Sequence, residues 1–184
     1  MDERFHFLEL VKKRQSVRGY NNFPIEKEKI ERCIEAVRLA PSACNAQPWK
    51  FIVVDNQELK NKIADCTTTR MIPMNHFTKQ APVHIVVVMK MPNISSKMGE
   101  IIRNKPFTLI DVGIASVHFC LQAAAEGLGT CMLGWFNEKK VKKLLNIPSS
   151  LRAVLIITLG YPSSDLIREK RRKDISEIQS FNGY

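Results

Sequence analysis

The sequence predicts an α+β fold, a central sheet flanked by helices. Two observations predict it. Apolar runs of strand length stand at 51–54, 83–89 and 151–159 and within 129–135. Segments with helical spacing of apolar residues lie among them, so helices and strands are mixed along the chain. At 184 residues the chain fits one domain, 1–184, and is long enough to bury a substantial core. It carries no repeat, low-complexity tract or Gly/Ser linker.

The first helix carries Phe5, Phe7, Leu8, Leu10 and Val11. It leads into Arg14-Gln15-Ser16-Val17-Arg18, where alternation along an extended segment places Arg14, Ser16 and Arg18 on one side. A second helix begins near Glu26, with acidic residues suited to a helix N-terminus. It sets Ile30, Cys33, Ile34 and Val37 on one face. Pro41 makes Ala40 a helix stop, because proline disfavours helix at the residue before it. Pro41 and Pro48 bracket a polar turn. Ser42, Asn45 and Gln47 project hydroxyl and amide groups from it, and Ala43 and Ala46 let a ligand approach the backbone. Trp49 is suited to anchor the turn on a core or a partner.

Strand 51–54 follows, and Asn56 caps a short helix through Cys66. Residues 67–80 are polar and irregular, with Met71, Met74 and Phe77 interspersed; residues 90–107 are rich in Asn, Ser, Lys and Pro. Two readings of these segments stand equally: a lid over a pocket and a plain surface excursion. Between them Ala81-Pro82 opens strand 83–89. Residues 108–126 form the longest helix, apolar nearly all round and therefore buried on most sides. In a chain this size that predicts a core helix that is also a subunit interface. Gly127 ends it in a left-handed cap. Strand and turn 129–135 lead to Asn137, the cap of helix 138–145, which Ile147-Pro148 stops. Strand 151–159 ends at Gly160-Tyr161-Pro162, and the tail 163–184 is polar and basic.

Composition narrows the function classes. The five cysteines, 33, 44, 66, 120 and 131, form no C-x-x-C pair, and the four histidines, 6, 76, 84 and 118, lack ligand spacing. A disulfide scaffold or metal site is not expected. His84 lies inside an apolar strand and reads as structural. No apolar run is expected to span a bilayer and the N-terminus lacks an apolar signal segment, which predicts a cytoplasmic protein without a membrane partner. The net charge of +10 fits nucleic acid, an anionic membrane or small anionic ligands. No nucleic-acid-binding motif accompanies the basic runs at 139–143 and 168–173, so a nucleic-acid module is the lesser reading.

The motifs point to borrowed chemistry. Gly127-Leu128-Gly129 follows a helix, precedes a strand and lacks the third glycine of a dinucleotide fingerprint. No P-loop, nucleophile elbow or H-E-x-x-H is present. A cofactor must then carry any difficult reaction. Two guanidinium groups flanking the Ser16 hydroxyl suit an anionic ligand, each well-formed charge-assisted bond contributing roughly 1.5–3 kcal/mol.

Together, Arg14-Gln15-Ser16-Val17-Arg18 and Ala40-Pro41-Ser42-Ala43-Cys44-Asn45-Ala46-Gln47-Pro48-Trp49, one helix apart, resemble the nitroreductase family of FMN-dependent NAD(P)H oxidoreductases. The resemblance covers nearly the whole chain. It implies a mixed or antiparallel central sheet and FMN as cofactor. Arg14 and Ser16 match positions for the FMN phosphate, with Gln15 between them in the cofactor-binding set, and Arg18 matches a basic position beside the pyrimidine edge of the ring. A guanidinium there stabilises the negative charge that two-electron reduction leaves near N1 and the C2 carbonyl. Pro41, Ser42, Ala43 and Asn45 match the turn that a second subunit lays against the flavin, which implies a homodimer. Gln47 and Trp49 belong to the motif and hold the turn. Met132-Leu133-Gly134-Trp135 matches the loop behind the flavin, with a backbone N–H of Gly134 or Trp135 toward N5. Lys170 and Arg172 match a basic pair returning to the phosphate, in a register open by a residue because the tail is basic throughout. Asn75 and Lys79 match too loosely to assign.

The mechanism implied is ping-pong transfer of hydride from NAD(P)H through FMN to nitroaromatics, quinones or activated alkenes. Proximity and orientation carry it, so no catalytic side chain is assigned. Same-fold alternatives are dehalogenation and flavin fragmentation or storage. The chain is short for the family, so its lid is less elaborate. Cys44, inside the flavin-facing turn, reads either as a small neutral hydrophobe or as a redox-sensitive thiol.

Overall fold

The expected apolar runs pair into one sheet: β1 (Trp49–Val54), β2 (Val83–Met89), β3 (Gly129–Leu133) and β4 (Arg152–Gly160), in the order β1-β2-β4-β3. The computed structural model describes residues 4–68, 74–90 and 106–184. Met71 and nearly all of the 90–107 segment read as a lid lie outside the described residues. Every strand pairing is antiparallel. Among the described residues, parallel pairing enters through a single bridge, Ser16 to Thr130, outside the named strands.

Five described helices accompany the sheet: α1 (Arg4–Lys13), α2 (Lys27–Arg38), α3 (Gln57–Asp65), α4 (Phe107–Ala125) and α5 (Glu138–Leu144). Their ends follow local chemistry. Asn56 and Asn137 side chains accept from the Leu59 and Lys140 amides, and Gly127 leaves α4 at φ 77.

β2 is buried at every position, and its period of two divides the core. Val83, Ile85 and Val87 meet α2 and α4 through Cys33, Val37, Val112, Ala115 and Phe119. Val86 and Val88 face the other way, toward Ile63 of α3 and Val141 of α5. Trp49 packs at the border of the first cluster, so it does anchor the turn before it.

By length and composition α4 could cross a membrane, which corrects the expectation that no apolar run reaches that length. Half of that stretch is buried inside the fold, where it serves as the central core helix. Its outer face leaves Leu109, Ile110 and Val117 exposed, and the neighbouring α1 leaves Phe7 and Leu8 exposed.

Candidate functional site

The segment after α1 is laid along the edge of the sheet. Ser16 bridges Thr130 of β3, and the Val17 amide donates to the Thr130 carbonyl at 2.9 Å. Gly129 permits this approach: a Cβ there would lie 2.6 Å from Val17 Cγ2. Beneath it the buried Tyr20 hydroxyl donates to the Val17 carbonyl at 2.9 Å and lies 2.6 Å from Thr158 Oγ1. Burial pushes the Tyr20 phenol well above its ordinary value, so it stays neutral.

The tail returns across this segment. The Ser163 amide donates to the Gly19 carbonyl at 3.0 Å and Asn21 Nδ2 to the Pro162 carbonyl at 3.0 Å. Gln15 then clasps the tail. Its Nε2 donates to the Leu166 carbonyl at 2.8 Å, and its Oε1 accepts from Arg168 N and Nε, both at 3.2 Å. Arg168 also donates to the Ser16 carbonyl. Lys170 Nζ donates to the Val11 carbonyl at 2.7 Å and to that of Lys12, at the negative end of α1.

The result is a cavity of about 340 Å³ lined by Arg14, Gln15, Ser16, Arg18 and residues 168–172. Its charged walls are Arg14, Arg18, Arg168, Lys170, Arg171 and Arg172 against Glu169 alone. Desolvation first, then Arg14 and Arg172, hold the Lys170 ammonium below its usual value. Such an excess of guanidinium groups suits an anion with several acceptor oxygens. Arg14, Ser16, Arg18, Lys170 and Arg172 are thus brought together. Gln15 lines the same cavity, but its amide is engaged by the tail. Arg168 and Arg171 were not singled out in the sequence; their signal was the basic run itself.

The turn after α2 is a second constellation. Cys44, Asn45 and Gln47 hold φ of 51, 53 and 45, a left-handed region that L-residues rarely occupy. The turn closes on itself: the Gln47 amide donates to Ser42 Oγ at 3.0 Å and Gln47 Nε2 to Asn45 Oδ1 at 2.9 Å. The Ala43 amide donates to Asp111 Oδ1 of α4 at 3.1 Å. Cys44 and Asn45 are exposed, and Pro41 caps the exposed shoulder of the turn.

At the end of β3, Leu133 is buried and Gly134 and Trp135 are exposed, Trp135 at 61%. Asn75 and Lys79 are engaged elsewhere. Asn75 Nδ2 donates to the Thr67 carbonyl at 3.1 Å, and Lys79 Nζ pairs with Asp65 at 2.6 Å.

The cradle and the turn sit at opposite corners of the sheet. Ser16 lies at the level of Thr130, Leu159 and Val83 on the β3 edge, whereas Trp49 pairs with Met89 on the β1 edge. Six strand steps and four strand spacings, counting the Ser16 bridge, separate them, a diagonal of roughly 28 Å. Helix α4 spans the same gap: Asp111 holds the turn, and Ala124 shares a cleft with Arg14, about 20 Å further along the helix axis.

Comparison with known proteins bears on the family and the fold. A protein of Methanothermobacter thermautotrophicus provisionally named NADH dehydrogenase/NAD(P)H nitroreductase is 32% identical over 86% of this chain and 78% of its own. The iodotyrosine deiodinase of Thermotoga neapolitana is 27% identical over 94% of this chain and 97% of its own. Among solved structures, a nitroreductase family protein from Clostridium novyi NT superposes with a TM-score of 0.77 at 36% identity, covering 85% of this chain and 86% of that one. An FMN-dependent nitroreductase from Clostridium difficile R20291 gives 0.75 at 28% identity, covering 96% and 99%. The model of the Nitroreductase family matches residues 11–161, and on that match the chain belongs to the Nitroreductase family.

Proposed function

We propose that the chain is an FMN-dependent oxidoreductase that passes reducing equivalents from NAD(P)H to an electron-poor acceptor by ping-pong exchange, as a homodimer. The observation that carries this reading is the cradle of Arg14, Ser16, Arg18 and the returning tail. It fits the cofactor: a phosphomonoester brings about −1.5 to −2 charge and three acceptor oxygens, and the cradle offers forked donors around a hydroxyl. FMN, when bound, supplies the two-electron chemistry that no side chain here carries.

The chain's own residues bind and tune. Arg14 and Ser16 hold the phosphate, with Lys170 and Arg172 from the tail completing the charge. Arg18 sets positive charge where reduction accumulates electron density. A main-chain N–H of Gly134 or Trp135 offers a donor that does not titrate, with Leu133 buried behind it. Pro41, Ser42, Ala43 and Asn45 come from a second copy. Two observations support that division: the roughly 28 Å diagonal between cradle and turn within one chain, and the apolar face of Leu109, Ile110 and Val117 left open on α4.

Reductive dehalogenation of an aromatic acceptor is a second reading, favoured by the deiodinase relative, which matches over nearly its full length. Nucleic-acid binding is the weaker reading, because net charge is its one support and the family match points to a redox enzyme.

The test is anaerobic titration of the FMN-loaded protein with NADH and NADPH, followed by nitro, quinone, enone and halophenol acceptors. Bleaching of the flavin band and its return on adding acceptor are expected. A colourless protein that takes up no added FMN refutes the proposal.

A further inference from the structure

We propose that Asp111 is a positioning residue for the cofactor site, holding the strained turn of residues 42–47 in the shape it presents to the partner copy's FMN. The inference rests on the functional reading above and assigns a role to a side chain outside the cradle, the turn and the β3 loop.

Three facts converge on Asp111. It is the one Asp, Glu, Lys or Arg within α4, whose other polar residues are Thr108, Ser116, His118 and Gln122. It is 5% exposed. A carboxylate in such surroundings is unfavourable unless it answers a donor, and the donor here is the Ala43 amide at 3.1 Å. Among the described residues, this is the one hydrogen bond tying residues 42–46 to a distant element; the others close within the turn. With three left-handed non-glycine residues, the turn relaxes if released, because no glycine makes its conformation intrinsic. Asp111 therefore acts through Ala43, and its neighbours Leu109 and Ile110 lie on the exposed face of α4.

The test is a double-mutant cycle read by FMN affinity. Asp111→Ala removes the acceptor. Ala43→Pro removes the donor from the other side, leaving α4 untouched. Proline suits the first position of the short helix Ala43–Asn45, and Ser42, at φ −148 and ψ 155, already has the extended shape a following proline demands. Each single variant is expected to weaken FMN binding about tenfold, a typical effect of losing a hydrogen bond to a charged group. The double variant is expected to lose no more than either single one. Asp111→Asn keeps an acceptor oxygen and is expected to restore affinity to within about threefold of the parent.

Parent-like affinity in D111A, or additive losses in the double variant, overturns the inference. Should D111A fail to fold, A43P is read against Ala43→Ser, which changes the side chain but keeps the amide; parent-like affinity in A43P, or an equal loss in both, overturns it as well. Amide exchange at residues 43–47 separates the two failures. Faster exchange in D111A than in D111N supports the positioning role even if the parent takes up no FMN, an outcome that sinks only the functional reading. Equal exchange in both variants overturns the positioning role.

Discussion

Replacing Gln15 by Ala removes the clasp between the 14–18 segment and the tail. Three hydrogen bonds disappear: one of 2.8 Å to the Leu166 carbonyl and two of 3.2 Å from Arg168. They are solvent-exposed and two are long, so together they contribute about 1–2 kcal/mol, the lower range for bonds of this kind. The tail stays tethered at Ser163 and Asn21 and by Lys170 on α1. A ligand that needs the tail closed must then supply the closing energy itself. The loss of FMN affinity is therefore capped at that energy, roughly 5- to 30-fold at 1.36 kcal/mol per decade. Fluorescence titration gives the dissociation constant, and limited proteolysis after residues 168–173 reports tail release independently. Tail cleavage that accelerates while FMN affinity stays unchanged would refute the reasoning, since the tail would then be no part of the cradle.

Arg14→Ala removes a guanidinium from the cradle wall and should weaken FMN binding by about 10- to 100-fold, measured by retention through dialysis and by titration. High salt should narrow the gap between parent and variant. His84 sets an acid limit on stability. Its Nε2 faces the Thr78 carbonyl at 2.9 Å and so carries the proton, while buried Nδ1 has no partner among the described residues. Burial, with the nearby Lys60 ammonium adding to it, holds this imidazole down to about 4. The unfolded chain takes up its proton near 6.5, so stability is full above that pH and falls as pH drops toward 4, by about 1.4 kcal/mol per unit at most. Denaturant midpoints measured from pH 7 to pH 4 should slope downward in the parent, and more gently in a folded His84→Gln variant. Val117→Asp, on the exposed face of α4, should split the proposed homodimer and release FMN together; light scattering that shows an intact dimer would contradict that placement.

Much of this fold was legible because its signals are local. The apolar run 83–89 became β2, and Asn56, Asn137 and Gly127 cap the helices they were expected to cap. The charged cluster was legible for a different reason, since alternation alone puts Arg14, Ser16 and Arg18 on one side. What stayed hidden depends on contacts between distant residues. Gln15 sits inside the most conspicuous motif, yet nothing local says that its amide faces residues 166–168. Lys60 looks like a surface lysine of an amphipathic helix, but it is 1% exposed and donates to the Lys79 carbonyl at 2.7 Å. Asp111 reads as a polar interruption of a core helix until the turn that it holds is placed beside it.

The position of Val117 explains why one helix face can join the two halves of a site. Asp111 holds the turn at one end of α4, and Ala124 neighbours the Arg14 cleft at the other. The midpoint between them falls at Val117, whose side chain is exposed. A two-fold axis meets both copies of a self-complementary surface at the same residue. If it crosses α4 near Val117, the two helices run antiparallel across it, and the turn end of each copy meets the cradle end of the other. One contact then builds two equivalent sites, spaced by about 20 Å of helix. Contact at α1 alone, through Phe7 and Leu8, lacks this property, because α1 leads only into the cradle. An apolar stripe on a core helix, read alone, is only an unsatisfied surface. In the proposed homodimer, its placement midway between a cation-lined cavity and a strained turn makes pairing of the chain a condition of assembling the site.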